Sequence, residues 1–361
     1  MQKNKLLIGL VWMFAMVNSN AYCQRPDSLL LKNYRPKSIF KIPFTDIKRA
    51  KFPVIDIHSH PYAGSAEKIA SWVKMMDRFG IEKTIILTQS TGAKFDSIYN
   101  LYSKYGNRFD VCCGFDYTGY NEPGWGEAGV KELERCYRVG AKGVGELGDK
   151  GLGETYSEPT PGLGMHIDDP RMKPLFKKCG ELKMPVNIHV AESKWMYEPM
   201  DSTNDGLMNA FEWKVDMTKP GILGHAKLIN TLANVVRQNP NITFIACHFA
   251  NCDYDLTILG NLLQKYPNLY ADISARYAET APIPLYMRSF YKRYQDRLLF
   301  GTDMEFEIRM YETVFRLLQT TDEHFYAIEL TGYHWPMYGF GLGDEILKKL
   351  YKTNALKILK R

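Results

Sequence analysis

Residues 52–60 read Phe52-Pro53-Val54-Ile55-Asp56-Ile57-His58-Ser59-His60, and helical spacing follows from Ala66 to Phe79, closed by Gly80. A short β-branched run of this kind is a strand buried on both faces. Gly80 stands where a helix should end, because glycine takes a left-handed backbone without a steric penalty. One strand followed by one amphipathic helix is the repeating unit of a parallel α/β sheet. The unit recurs. Strand-like runs lie at Lys83–Leu87, Phe109–Gly114, Ala141–Val144, Pro185–Val190, Ile242–Cys247, Leu269–Ile273 and Arg297–Phe300. Helical spacing fills Gly126–Val139, Arg171–Leu182, Lys227–Asn239 and Asp253–Tyr266, and Gly140 and Gly180 mark further helix ends. Eight buried strands, each followed by a helix, predict a closed (β/α)8 TIM barrel. The alternative, an open doubly wound sheet, would leave two edge strands exposed.

Outside this pattern, the N-terminus reads as an export signal over residues 1–21. Lys3 and Lys5 precede an apolar run from Leu6 to Val17, and Ser19 and Ala21 are small residues at a cleavage site. The run is shorter than the roughly 20 residues that span a bilayer. The competing reading retains a lipid anchor on Cys23, but bulky Tyr22 before it argues for cleavage after Ala21. Residues 22–50 are expected to form an extended arm. Residues 51–361 are expected to form one domain that ends in a helix near Glu345–Leu359. No later stretch is apolar for long enough to cross a membrane, so with the export signal the mature protein is expected to be soluble and, in a bacterial source, exported to the periplasm or outside the cell. A net charge of +6, scattered along the sequence, lacks the basic block of a nucleic-acid footprint. The six cysteines from Cys112 onward form no CxxC pair and read as small core residues.

Polar residues end the strands at one side of this barrel. His58 and His60 are two apart, so an extended chain points both into the mouth. Paired imidazoles suit a divalent metal. Strand 5 ends in Asn187-Ile188-His189, strand 6 in Ala246-Cys247-His248 and strand 8 in Gly301-Thr302-Asp303. Four of the eight histidines fall at these ends, so separately satisfied core residues would require four coincidences. Strand 4 brings Glu146 toward the same mouth, with Lys142 about 13 Å deeper. Arg276 follows strand 7. It either holds a substrate carboxylate or pairs with an acid such as Glu279. The long segments Gly148–Asp169 and Ala191–Gly224 follow strand C-termini, where barrels keep their active sites. Trp195, Tyr197 and Trp213 read as the second segment's own small core. His225 reads as a helix-start histidine.

The stretches VIDIHSH (54–60), PVNIHV (185–190), FIACHFAN (244–251), RLLFGTD (297–303) and TNALKIL (353–359) resemble the metal-dependent amidohydrolase superfamily, in its amidohydrolase-related family 2 branch. The resemblance spans nearly all of residues 51–361. It implies that His58, His60 and His189 bind metal and that His248 is a ligand or a catalytic residue. It also implies that Asp303 binds metal and moves protons. Glu146 would bridge a second ion, as in some superfamily members, or orient a ligand histidine beside a single ion. Such a site gives an activated water in a dry pocket, with Asp303 taking its proton and His248 bonding the oxyanion. Zn²⁺ is the first expectation and Mn²⁺ the second, with one ion or two. The expected activity is hydrolysis of a C–O or C–N bond in a lactone, ester or amide of a small polar or acidic substrate. The alternatives are a non-oxidative decarboxylase of the same branch and a non-catalytic metal-containing binding protein. The oligomeric state is left open.

Overall fold

The computed structural model describes residues 25–153 and 158–359. The export signal and Cys23 lie outside the described residues. The chain divides into two compact units, Met1–Tyr34 and Arg35–Arg361. In the first, the described residues form a turn and a single 3-10 turn at Leu31–Asn33. The second unit holds the extended segment 35–50 together with all the strands, so the compact division falls inside the expected arm.

Eight parallel strands follow in order: β1 (Val54–Ser59), β2 (Ile81–Leu87), β3 (Phe109–Cys112), β4 (Val144–Asp149), β5 (Val186–Val190), β6 (Phe244–Ala246), β7 (Leu269–Asp272) and β8 (Leu298–Leu299). They form continuous ladders of three (β1 to β3) and five (β4 to β8). Backbone hydrogen bonds cross both seams. Cys113 N donates to Gly143 O at 3.0 Å, and Ile57 N donates to Phe300 O at 3.0 Å. The helices that follow the eight strands are Ala66–Phe79, Gly92–Tyr102, Trp125–Val139, Lys173–Leu182, His225–Gln238, Leu256–Lys265, Pro284–Tyr294 and Ile308–Gln319. This is the expected TIM-barrel architecture.

The first helix shows why the local sequence folds this way. Ser65 Oγ accepts from Lys68 N at its start, Gly80 ends it at φ 79°, and Ile69, Trp72, Met76 and Phe79 bury one stripe. Two expectations shift. Gly180 lies inside its helix, and Lys183 takes the left-handed cap at φ 56°. Strand 4 runs later than Ala141–Val144, because Gly-Glu-Leu-Gly has weak strand propensity yet pairs with β5 through Leu147 and Ile188.

Apolar side chains occupy two layers. The larger lies between strands and helices. The smaller fills the barrel interior with Ile55, Ile57, Ile85, Leu87, Cys112, Ile245 and Leu299, and Ala355 and Ile358 of the final helical stretch pack on it. The six cysteines in the described residues are buried and free. Among the described residues no helix is long and apolar enough to cross a membrane.

Candidate metal centre and cavity

Two strand irregularities build the site. Ile55 and Ile57 already take inward positions in β1, so strict alternation would turn His58 outward. Between Asp56 and Ser59, however, β1 advances three residues while β2 advances two, from Thr84 to Ile86. Such a bulge re-aims a side chain, and His58 enters the mouth. Strand β4 does the same between Val144 and Leu147, opposite Val186 and Ile188, and this is the segment that carries Glu146.

The structure brings together His58, His60, His189, His248, Glu146 and Asp303. Each imidazole is held by its outer nitrogen. His58 Nδ1 donates to Asp272 Oδ2 at 2.9 Å, and His60 Nδ1 donates to Leu87 O at 2.8 Å. His248 Nδ1 donates to Ser274 O at 2.9 Å, and His189 Nε2 donates to Ala191 O at 2.9 Å. A carbonyl or carboxylate cannot donate, so the proton of each neutral ring sits on the outer nitrogen. The inner nitrogens are lone pairs, and all face two carboxylates. Glu146 Oε1 lies 3.0 Å from His189 Nδ1, 3.2 Å from His248 Nε2 and 3.5 Å from His58 Nε2. Asp303 Oδ1 lies 3.0 Å from His60 Nε2 and 3.6 Å from His58 Nε2. Acceptors facing acceptors in a buried site require cations between them.

The carboxylates draw positive charge to this point, either as a proton on His58 or as a metal ion in its place. Burial works against charge on His58, but Asp272, Asp303 and Glu146 overcome it and lift its pKa to about 10. Burial would raise Glu146 and Asp303, yet the surrounding imidazoles hold both below the ordinary carboxylate range. His248 is pushed down by burial and by His189. His58 Nε2 is buried and has no hydrogen-bond partner. His58, His60 and Asp303, and also His58, Glu146 and His248, lie close enough to share an ion. The donor set therefore fits a divalent metal.

Sequence reasoning left out several residues of this site. Asp272 accepts from His58 Nδ1, from His248 N at 2.8 Å and from Ser274 Oγ at 2.5 Å. Its signal was the one used elsewhere, a polar residue closing an apolar run. Tyr62 OH donates to Asp303 Oδ1 at 3.5 Å, and its position continues the spacing of His58 and His60. A cavity of about 630 Å³ opens beside the centre. Another part of its wall includes Lys150, Glu192, Arg276, Glu279 and Tyr333, and Glu192 Oε2 lies 3.9 Å from His189 Nε2. No sequence pattern marked Lys150 or Tyr333.

Arg276 reaches this wall, as the end of β7 requires, but its fork turns inward. Nε donates to Asn251 Oδ1 at 2.9 Å together with Nη2, and Nη1 donates to Ala275 O. Glu192 and Glu279 stand 3.7 Å away. The expectation of a fork facing a substrate carboxylate is thus revised toward the internal ion pair. Lys150 pairs with Glu192. Burial raises Glu279 to about 7 against the pull of Arg276. His225 opens its helix as expected and donates to Asn251 O at 2.7 Å. Tyr197 OH accepts from Glu192 N, but Trp213 lines the cavity instead of closing a loop core.

Known proteins share this architecture. A putative amidohydrolase from Staphylococcus aureus is 18% identical with a TM-score of 0.54, over 86% of this chain and 100% of that one. A 5-carboxyvanillate decarboxylase from Novosphingobium aromaticivorans, complexed with manganese and 4-hydroxy-3-methoxy-5-nitrobenzoic acid, is 15% identical. Its TM-score is 0.51, over 88% of this chain and 100% of that one. A dihydroorotase from Campylobacter jejuni is 14% identical with a TM-score of 0.50, over 89% and 87%. At these identities the likeness is one of fold. No curated protein sequence matches the chain. Residues 75–361 match the family model described as amidohydrolase, a span that begins after His58 and His60 and covers most of the barrel. The chain belongs to the amidohydrolase family.

Proposed function

We propose that this protein is an exported, metal-dependent hydrolase that cleaves a C–O or C–N bond of a small polar lactone, ester or amide. The observation that carries the reading is the convergence of four imidazole lone pairs on Glu146 and Asp303. His58, His60 and Asp303 would hold the ion, with His189, His248 and Glu146 closing the site around it. All three sets of donors that lie close enough to share an ion include His58, the third being His58 with Cys247 and Asp272 on its outer side, so the proposal is one ion. A bound divalent ion lowers the pKa of water toward neutrality and polarises a carbonyl. Zn²⁺ is the proposed metal, and Mn²⁺, present in the decarboxylase named above, is the second choice.

The residues divide the remaining work. Asp303 is a fifth exposed and lies at the cavity edge, where its carboxylate accepts a proton from water and returns it to the leaving group. Tyr62 aligns that carboxylate through its hydroxyl. His248, kept neutral by burial and by His189, turns its Nε2 lone pair to the same point, where it would accept a hydrogen bond from the attacking water. The wall around Arg276 pairs its own charges, so it offers hydrogen bonds to a polar substrate instead of a net field. Metal analysis of the purified protein, joined to a screen of lactones, esters and amides, tests this. The expected result is one equivalent of metal and turnover that Asp303→Asn abolishes. A metal-loaded protein inert on all three classes, with Asp303→Asn indistinguishable, refutes the reading. The fold shared with decarboxylases supports a second reading, non-oxidative decarboxylation at the same centre, which release of CO₂ without hydrolysis would establish. Export is tested by N-terminal sequencing of the protein from the producing cell, where a chain starting at Tyr22 is expected.

A further inference from the structure

The net charge of +6 is unevenly spread and concentrates on one continuous segment of the chain. Residues 35–51 carry six Lys/Arg against the single acid Asp46, whereas residues 52–361 carry 36 Lys/Arg against 38 Asp/Glu. The segment is extended and exposed along nearly its whole length. It is not loose. Thr45 N donates to Asp322 Oδ2 at 2.8 Å, Arg35 pairs with Glu329 and Lys51 pairs with Asp344. Between those anchors, Lys37, Lys41 and Arg49 have no carboxylate within ion-pair distance among the described residues, and their charges face water. Apolar side chains alternate with them. Ile39 is 88% exposed, Phe44 68% and Phe40 58%. Phe40 and Phe44 rest one side on His324 and Arg316 and leave the other open. An exposed Ile/Phe strip interleaved with unpaired lysines has no role in the barrel core. It matches the two-part chemistry of an anionic bilayer surface, with cations at the headgroups and apolar tips at the acyl boundary.

We infer that residues 35–51 dock this barrel on the surface of an anionic lipid bilayer, without a membrane span. A second copy of the chain is the less suitable occupant. A two-fold interface would place this strip on itself and oppose like charges.

Vesicle cosedimentation tests the inference. The whole protein is mixed with vesicles of phosphatidylcholine alone, or of phosphatidylcholine with phosphatidylglycerol, at low and high salt. At low salt, binding to the anionic vesicles should exceed binding to neutral ones by at least about tenfold, and high salt should remove most of the difference. The variant Lys37→Glu/Ile39→Ser/Lys41→Glu should lose that preference while keeping the wild-type melting temperature and metal content. Both proteins carry the same residues 1–24, so any contribution of that segment to binding cancels. Equal binding to both vesicle types overturns the inference, as does a variant that binds like wild type. A wild-type dimer that the variant converts to a monomer in light scattering also overturns it and assigns the strip to contact between copies.

Discussion

The metal centre and the Arg276 wall line one cavity and meet where Glu192 Oε2 lies 3.9 Å from His189 Nε2, and both are buried clusters of charge. They solve the problem of burial in opposite ways. The wall is closed on itself, with the Arg276 guanidinium against Asn251, Glu192 and Glu279, and Lys150 against Glu192. The centre is open-ended. Its outer nitrogens are satisfied, while its inner nitrogens and two carboxylates face one another. A cluster that neutralises itself needs no guest, whereas a cluster of convergent acceptors is a cation site. The proposed chemistry therefore rests on the centre and not on the wall.

The largest expected effect falls on the centre's proton carrier. Asp303→Asn removes the charge without changing the shape and should lower kcat by about 10²–10⁴. Steady-state kinetics at saturating metal would read it, and a loss below tenfold would take Asp303 out of proton transfer. Next is Asp272, which touches no substrate but pins His58 and His248. Asp272→Asn should weaken metal affinity by about 10–100-fold, since partners of ligand histidines carry effects of that size. Metal competition with a chelator measures it, and apo-protein that melts as wild type separates positioning from folding.

Glu146→Gln sharpens the count of ions. One equivalent in both proteins is expected from the single-ion reading, with weaker binding in the variant. Two equivalents in wild type falling to one would make Glu146 a bridge. The smallest effect on chemistry is expected at the wall. Arg276→Lys keeps the charge but loses the fork to Asn251, a cost of about 1–3 kcal/mol in stability. KM for an acidic substrate should change by less than about twofold. Thermal unfolding and a KM series measure the pair, and a tenfold rise in KM with unchanged stability would return Arg276 to substrate binding.

Much of this was legible one element at a time. The helix Ala66–Phe79 could be bounded to the residue because Ser65, its apolar stripe and Gly80 all act locally. The histidines could be placed at strand ends because each closes an apolar run. Lys183 could not be foreseen as a cap, because a lysine adopts the left-handed region only under tertiary constraint. Strand β4 was placed early because its glycines hide it until β5 supplies the ladder.

By itself the sequence determined the strand–helix alternation, the eightfold count and the side of the barrel where His58, His60, His189, His248 and Asp303 gather. These follow from periodicities of two and 3.6 residues, which any local window contains. Tertiary structure alone decided where the side chains point. Alternation would have sent His58 outward beside Val54, and only the three-against-two register with β2 turns it into the mouth. A matching irregularity against β5 occupies the segment that carries Glu146. That the Arg276 fork bonds Asn251 is the same kind of fact. An arginine at a strand end can reach a substrate or an internal partner, and the choice depends on acids up to 84 positions away in sequence, as Glu192 is from Arg276. A bulge or a buried ion pair is a relation between distant segments, and no local window holds both halves of it.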